Sequence, residues 1–312
     1  MLSRIADSLF WLNRYMERND CLVRVIRTNY ILSFDSDQLT DFSWKDVITL
    51  FSYEPDAAIQ YSDNAAASLK YLVTDTKNLN SVKVLVTKAR ENARGVQDYI
   101  TKEVWEQVNQ LYHIVNDPGI EEKITGSNSM EVIDLLDQNS ILFYGVIDST
   151  MPRGHGWQFL NLGKFIERCI LTIENIYAHS QKMDHMLDPP RDILFWRNLL
   201  LSLSGYELYL KTYPRDQYTF NVIEHVIFNK NFPRSLIYSL HRIKRYLNEI
   251  TAHTKIEGGA TLEKQLGRIC SKVDFADMDT IKEEGLPQFL DSLRNELSDF
   301  SKQLTRIYFS YA

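Results

Sequence analysis

The chain is poor in the residues that interrupt helices. Of its 312 residues only 12 are glycine and 8 proline, too few for the many turns of a sandwich or barrel, and long helices are expected instead. Cysteine is scarcer still. Cys21, Cys169 and Cys270 are odd in number and far apart, with no CxxC pair, which argues against a disulfide framework or a zinc knuckle and suits reduced thiols in a cytoplasmic protein. No stretch approaches the roughly 18 uninterrupted apolar residues of a membrane span. The opening MLSRIADSLFWLNRYMERND meets a charge every few residues and lacks the apolar core of a signal peptide. No Lys/Arg tract carries interleaved aromatics, so nucleic-acid binding leaves no footprint. HExxH, P-loop, GxSxG and GxGxxG motifs are all missing, and without an ExxH the ferritin-like di-iron arrangement lacks its ligands. The seven histidines are scattered. Neither a metal nor a cofactor is expected.

What is present has the composition of a globular protein, 44% hydrophobic and 24% charged, with a net charge of −6 spread along the chain. Apolar residues recur at helical spacing almost throughout. Leu9, Leu12, Met16, Val23 and Ile26 fall on one face, as do Phe159, Leu162, Ile166, Ile170, Ile173 and Tyr177. Pro152, Pro189, Pro190, Pro214 and Pro233 read as helix boundaries.

A faint internal repeat carries more information than any single motif. RYMER (14–18) resembles KFIER (164–168) at an offset of 150, and WKDVITLFS (44–52) resembles WRNLLLSLS (196–204) at 152. YLVTDTKNLNSVKVLV (71–86) resembles HVIFNKNFPRSLIYSL (225–240) at 154, and VWEQVNQLY (104–112) more weakly resembles LEKQLGRIC (262–270) at 158. Four pairs in one order, with slowly growing offsets, predict a duplication. The stretch SVKVLVTKA (81–89) is β-branched enough to read as a strand, but its counterpart continues as SLIYSLHRIKRYL, a helical pattern, so both are expected to be helices. The predicted fold is an all-α helical bundle of two duplicated modules with about five helices each. Module 1 spans 1–114 and module 2 spans 155–312. Between them, 115–154 holds a loop (NDPGIEEKITGSNS), a connecting helix from about Met130 to Ile147 and the start of a second loop, STMPRGHG. A final helix near 285–310 closes the chain.

At RYMER and KFIER the sequence resembles the bacterial alpha-E family, named for its helical character and its Glu-Arg motif. The matching words are SRIADSLFWLNRYMERND (3–20), ARENARGVQDYITKEVWEQVNQLY (89–112), GWQFLNLGKFIERC (156–169) and FPRSLIYSL (232–240). Two departures are small. Asn-Asp follows the first Glu-Arg where the family usually has Ala-Glu, and Lys164 stands where Arg is common. The resemblance implies partners: a circularly permuted ATP-grasp protein and a transglutaminase-like protein, and with them a system that makes, attaches or trims peptides. It implies no catalytic activity of the chain's own.

The candidate site residues are Arg14, Glu17, Arg18, Arg90, Asn92, Arg94, Lys164, Glu167 and Arg168. On a helix Glu17 lies one turn from Arg14, and Glu167 one turn from Lys164. Both carboxylates sit on helices apolar over most of their circumference, so burial is expected, and removing the partner of a buried charge costs about 3–5 kcal/mol. If the modules face each other, Glu17 and Glu167 form one polar site able to share a proton, bind a cation or grip a peptide amine. The alternative, in which each pair clamps its helix inside its own module, is favoured, because duplication copies a packing motif with its module. In ARENAR (89–94), Arg90 and Arg94 one turn apart suit a carboxylate or phosphate, and equally Glu17 or Glu167 from a neighbouring helix, the structural partner being slightly favoured. Trp11, Trp44, Trp105, Trp157 and Trp196 are expected in the core. PRGHG (152–156) is expected as a flexible basic loop carrying Arg153 and His155. Two functions follow: a non-catalytic helical partner or scaffold in an ATP-grasp-linked peptide synthesis or modification system, or an enzyme acting on amide or peptide substrates through a cluster of Glu17, Arg18, Glu167 and Arg168 between the two modules, with Glu17 and Glu167 as catalytic candidates.

Overall fold

In the computed structural model, residues 3–34, 43–187, 191–253 and 257–309 are described. They form sixteen α-helices and no strand. The chain divides into two compact units, Trp11–Gly156 and the combination of Met1–Phe10 with Trp157–Ala312.

The first unit takes most of α1 (Ser3–Leu32), then α2 (Trp44–Phe51), α3 (Ala57–Tyr61) and α4 (Ala65–Leu69), which runs on as a π-helical turn, Lys70–Thr74. Three larger or better-packed helices follow: α5 (Val82–Arg94), α6 (Lys102–Val115) and, after the short α7 (Ile120–Thr125), α8 (Ser129–Thr150). Helix α6 packs against both α5 and α8. The expected strand-like stretch is the helix α5. Val82, Leu85, Val86, Ala89 and Ala93 bury one stripe of it, at the 3–4 residue spacing of an amphipathic helix. Each β-branched residue sacrifices only a few tenths of a kcal/mol of helix propensity, against about 1.5–3 kcal/mol for burying its side chain.

The second unit repeats this order of element types. Its long helix is α9 (His155–Gln181), followed by α10 (Ile193–Ser202), α11 (Tyr206–Thr212) and α12 (Tyr218–Phe228). Then come α13 (Leu236–His253), α14 (Gly259–Asp274), the short α15 (Met278–Glu284) and α16 (Leu286–Leu304), the last running into a π-helical turn, Thr305–Phe309. Helix α14 packs on α13 and on α16. Gly285 opens α16 at φ +91°, a left-handed conformation that a side chain would strain.

Several expectations need adjusting. NDPGIEEKITGSNS is not loop throughout, since α7 occupies its middle. The first unit includes residues 115–154, and the first ten residues group with Trp157–Ala312. Helices α8 and α9 leave only residues 151–154 between them, so the second loop is shorter than STMPRGHG. Pro152, Pro214 and Pro233 do sit between helices, whereas Pro189 and Pro190 lie outside the described residues.

Within the second unit the chain's first turns have a clear anchor. Phe10 has no exposed surface, and its ring lies 5.1 Å from that of Phe309, which in turn lies 5.8 Å from Phe159 at the start of α9. Replacing Phe10 by Ala is expected to cost about 3–5 kcal/mol through the cavity it leaves, seen as a lowered urea midpoint for the C-terminal half. An unchanged midpoint would show that this anchor is dispensable.

Candidate site around the two Glu-Arg pairs

Helices such as α5 and α6 bury a single stripe, but α1 and α9 are buried over most of their circumference, and their buried residues include many polar ones. Glu17 is 1% exposed and Glu167 has no exposed surface. A buried polar group without a hydrogen bond costs about 1–3 kcal/mol, so the contacts of these two helices decide what the Glu-Arg pairs are for.

In the first unit, α8 supplies several partners. Tyr144 Oη donates to Glu17 Oε2 at 2.8 Å, and Asn19 Nδ2 donates to Ser140 Oγ at 2.9 Å. Further along, Arg27 pairs with Asp134 at 2.8 Å, and Arg24 with Asp20 at 3.1 Å. Burial, reinforced by the nearby Asp20 charge, pushes the Asp137 carboxyl above the usual range. Arg18 turns the other way. Its Nη1 donates to Asn80 Oδ1 at 2.8 Å and to Tyr53 Oη at 3.1 Å. Asn80 is itself fixed by its backbone N–H, which donates to Asn78 Oδ1. The next residue, Ser81, caps α5 by accepting from the Val84 N–H. Arg18 thereby holds the loop that launches α5.

The second unit repeats the device with different chemistry. Arg168 Nη1 donates to the Pro233 carbonyl at 3.2 Å, and Thr172 Oγ1 to the Arg234 carbonyl at 3.2 Å. Ser235 then accepts from the Tyr238 N–H and donates to the Asn229 carbonyl, which caps α13. The Cys169 thiol points at the Leu236 carbonyl, and burial holds it far above the ordinary thiol range. Arg168 also lies 5.1 Å over the Phe165 ring. In both Glu-Arg pairs the arginine thus makes a contact with a residue just before a helix-capping serine.

Of the other candidates, Arg14 stacks over Trp11 at 4.7 Å in the first unit, and Lys164 over Phe165 at 5.7 Å in the second. Arg90 Nε donates to Asn109 Oδ1 at 2.7 Å and lies over Tyr112 and Trp105 at 4.3 and 5.5 Å. Asn92 returns to its own helix, donating to the Lys88 carbonyl, and Arg94 is exposed. Of the ARENAR arginines, Arg90 faces α6. Trp196 alone among the tryptophans is fully buried, donating to Thr219 Oγ1. The other four are partly exposed, and Trp11 and Trp105 serve as platforms for arginines. Arg153 folds back onto Asp148.

Two features escape a motif search. His225 is fully buried and stacks on Phe232 at 4.5 Å, with Tyr209 and Tyr213 edge-on to it. Burial pushes it down to about 4, against an upward pull from the Gly205 backbone. A Cβ at Gly205 would come within 2.7 Å of Phe232, so the ring stack requires glycine there. The second is an open cleft beside α12, lined by Phe220, Glu224, Phe228 and the start of α15. Among the described residues no group of three His, Cys, Asp or Glu is placed to hold a metal ion, and no helix is long and apolar enough to cross a membrane.

Comparison with known proteins matches residues 1–309 to a family profile, Alpha-E, described as a predicted alpha-helical domain with a conserved ER motif. Relatives include uncharacterized proteins of Mycobacterium bovis and Mycobacterium tuberculosis, each 22% identical over 320 residues. The match covers 95% of this chain but 34% of each relative, so the chain spans about a third of the length of those proteins. No solved structure matches.

A double-mutant cycle tests the clamp. Arg18→Lys and Asn80→Ala should each destabilise the first unit by about 1–3 kcal/mol and together cost less than the sum, because the charged hydrogen bond is lost only once. Strict additivity would show that the contact carries no energy. For His225, the folded-state value lies below the ordinary 6.5, so its contribution is whole above pH 6.5 and is lost as pH falls toward 4. The loss amounts to about 3 kcal/mol. His225→Phe should flatten the stability profile in that window relative to the parent, and an unchanged slope would contradict the assignment.

Proposed function

The chain belongs to the Alpha-E family, and from that premise we propose that it is a non-catalytic helical partner in an ATP-grasp-linked peptide synthesis or modification system. The observation that carries this reading is the use made of the motif arginines. Arg18 and Arg168 each donate to a loop within their own unit, next to the starts of α5 and α13. A group that fixes a helix start is engaged in building a surface, and a scaffold needs surfaces more than it needs a nucleophile. Relatives in which the matching region is only about a third of the chain support a module that works in the company of other protein. The resemblance of its motif words names that company as a circularly permuted ATP-grasp protein and a transglutaminase-like protein. The parallel order of elements in the two units supports their origin by duplication, with each Glu-Arg pair copied as part of its packing.

The chain is expected to copurify with the circularly permuted ATP-grasp protein of the same organism when the two are co-expressed. Failure of the two to associate, or to alter each other's activity, removes the proposal. The competing enzymatic reading is tested by Glu17→Asp and Glu167→Asp, which keep the charge but shorten its reach. If the partner's activity is undiminished with these folded variants, a catalytic role for the two carboxylates fails. A loss of more than about tenfold without loss of stability would favour it over the scaffold.

A further inference from the structure

The second unit carries an open cleft of about 250 Å³ between α12 and the start of α15. Phe220, Glu224 and Phe228 follow one another at four-residue intervals on α12 and form one wall, and Ala276 and Met278 form the other. The spacing places the carboxylate between two aromatic rings on one helix face. Helix α12 buries the rest of its surface through residues such as Val222, Ile223 and Val226, which leaves this strip to line the cleft.

The carboxylates around the cleft differ in what they already do. Asp277 caps α15, accepting from the Thr280 N–H and hydroxyl, and these bonds hold it below the usual carboxylate range. Asp279 is exposed in the first turn of α15. Glu224 makes no hydrogen bond or ion pair with any described residue, and burial pushes its carboxyl upward. A partly desolvated carboxylate without a partner is unfavourable, and a bound cation relieves that cost. The rings add to the same preference, since the faces of phenylalanine attract ammonium groups. The protein already displays this affinity: the exposed Lys282 places its Nζ 4.9 Å over the Phe220 ring. An anion would meet three carboxylates, and a neutral apolar group would leave Glu224 unpaired.

We propose that this cleft binds an alkylammonium group, of the kind that a lysine side chain in a peptide presents. The methylene stem lies along Phe220, Phe228 and Met278, and the ammonium pairs with Glu224. The chemistry of the cleft stands on its own residues, and only the peptide origin of the amine rests on the function proposed above.

The test uses the full chain and Nα-acetyl-lysine methylamide as the probe, titrated by calorimetry or by chemical-shift perturbation. Nε-acetylation of the probe should abolish binding, because it removes the charge. Glu224→Gln should weaken binding by about tenfold or more, with the melting temperature checked against the parent. Lys282→Ser should strengthen it, since the internal competitor is gone. Equal binding of the Nε-acetylated probe, or full affinity in a folded Glu224→Gln protein, overturns the proposal. n-Butylammonium distinguishes the sources: weaker binding than the lysine amide supports a peptide ligand, and equal binding supports the site with a free amine as its ligand. Copurification with the ATP-grasp protein, measured on Glu224→Gln, reports on the scaffold reading separately. Amine binding without copurification defeats that reading alone, and copurification without amine binding defeats this one.

Discussion

A helix enclosed on nearly every side can keep a charged residue only if another part of the chain comes to meet it. That constraint organises this protein. Its two longest helices, α1 and α9, bury Glu17, Arg24, Glu167 and Arg168, and other elements supply hydrogen bonds to Glu17 and Arg168. The arginines show it best. A guanidinium offers several donors in a rigid fork, so one side chain can lie along its own helix and still reach a loop on the next element. A lysine ammonium at the same place, a point charge on a flexible stem, would hold that loop with less direction.

The consequence reaches beyond the pairs. The residues held by Arg18 and Arg168 lead directly into Ser81 and Ser235, whose side chains cap α5 and α13. Capping satisfies backbone N–H groups that the helix itself leaves open, and a cap works only where the chain enters at the right angle. The arginine fixes that angle. Helices α6 and α14, which pack on α5 and α13, then inherit their placement. One type of polar contact therefore recurs at the entry to a packed helix in both units. The asymmetry between the two units lies elsewhere: the second has the buried His225 stack and the cleft on α12.

These assignments separate two kinds of polar residue. Arg18, Arg168 and Asn80 make internal contacts that tie a loop to a helix. Glu224 is uncommitted and faces solvent through a cleft walled by rings. In a protein proposed to work beside others, the first kind builds the platform and the second kind is where a ligand finds an unspent charge.

Much of the fold was legible in the sequence, because side-chain spacing alone dictates which face of a helix seeks the core. Leu9, Leu12, Met16, Val23 and Ile26 are all buried as their spacing demands, and the β-branched run from Val82 is helical because its apolar residues follow the helical period. Helix α7 was not legible: six residues are too few to establish a period, and the Asp117–Gly119 turn before it reads as loop. Nor could spacing tell that Arg90 would face α6 while Arg94 faces solvent, or that His225 would lie in a ring stack. The sequence by itself determined that Glu17, Arg18, Glu167 and Arg168 would sit on largely buried helices. Only the tertiary structure decided who meets them, because Asn80 lies 62 residues from Arg18 and Pro233 lies 65 from Arg168, and partners so distant are brought together by packing rather than by any local rule.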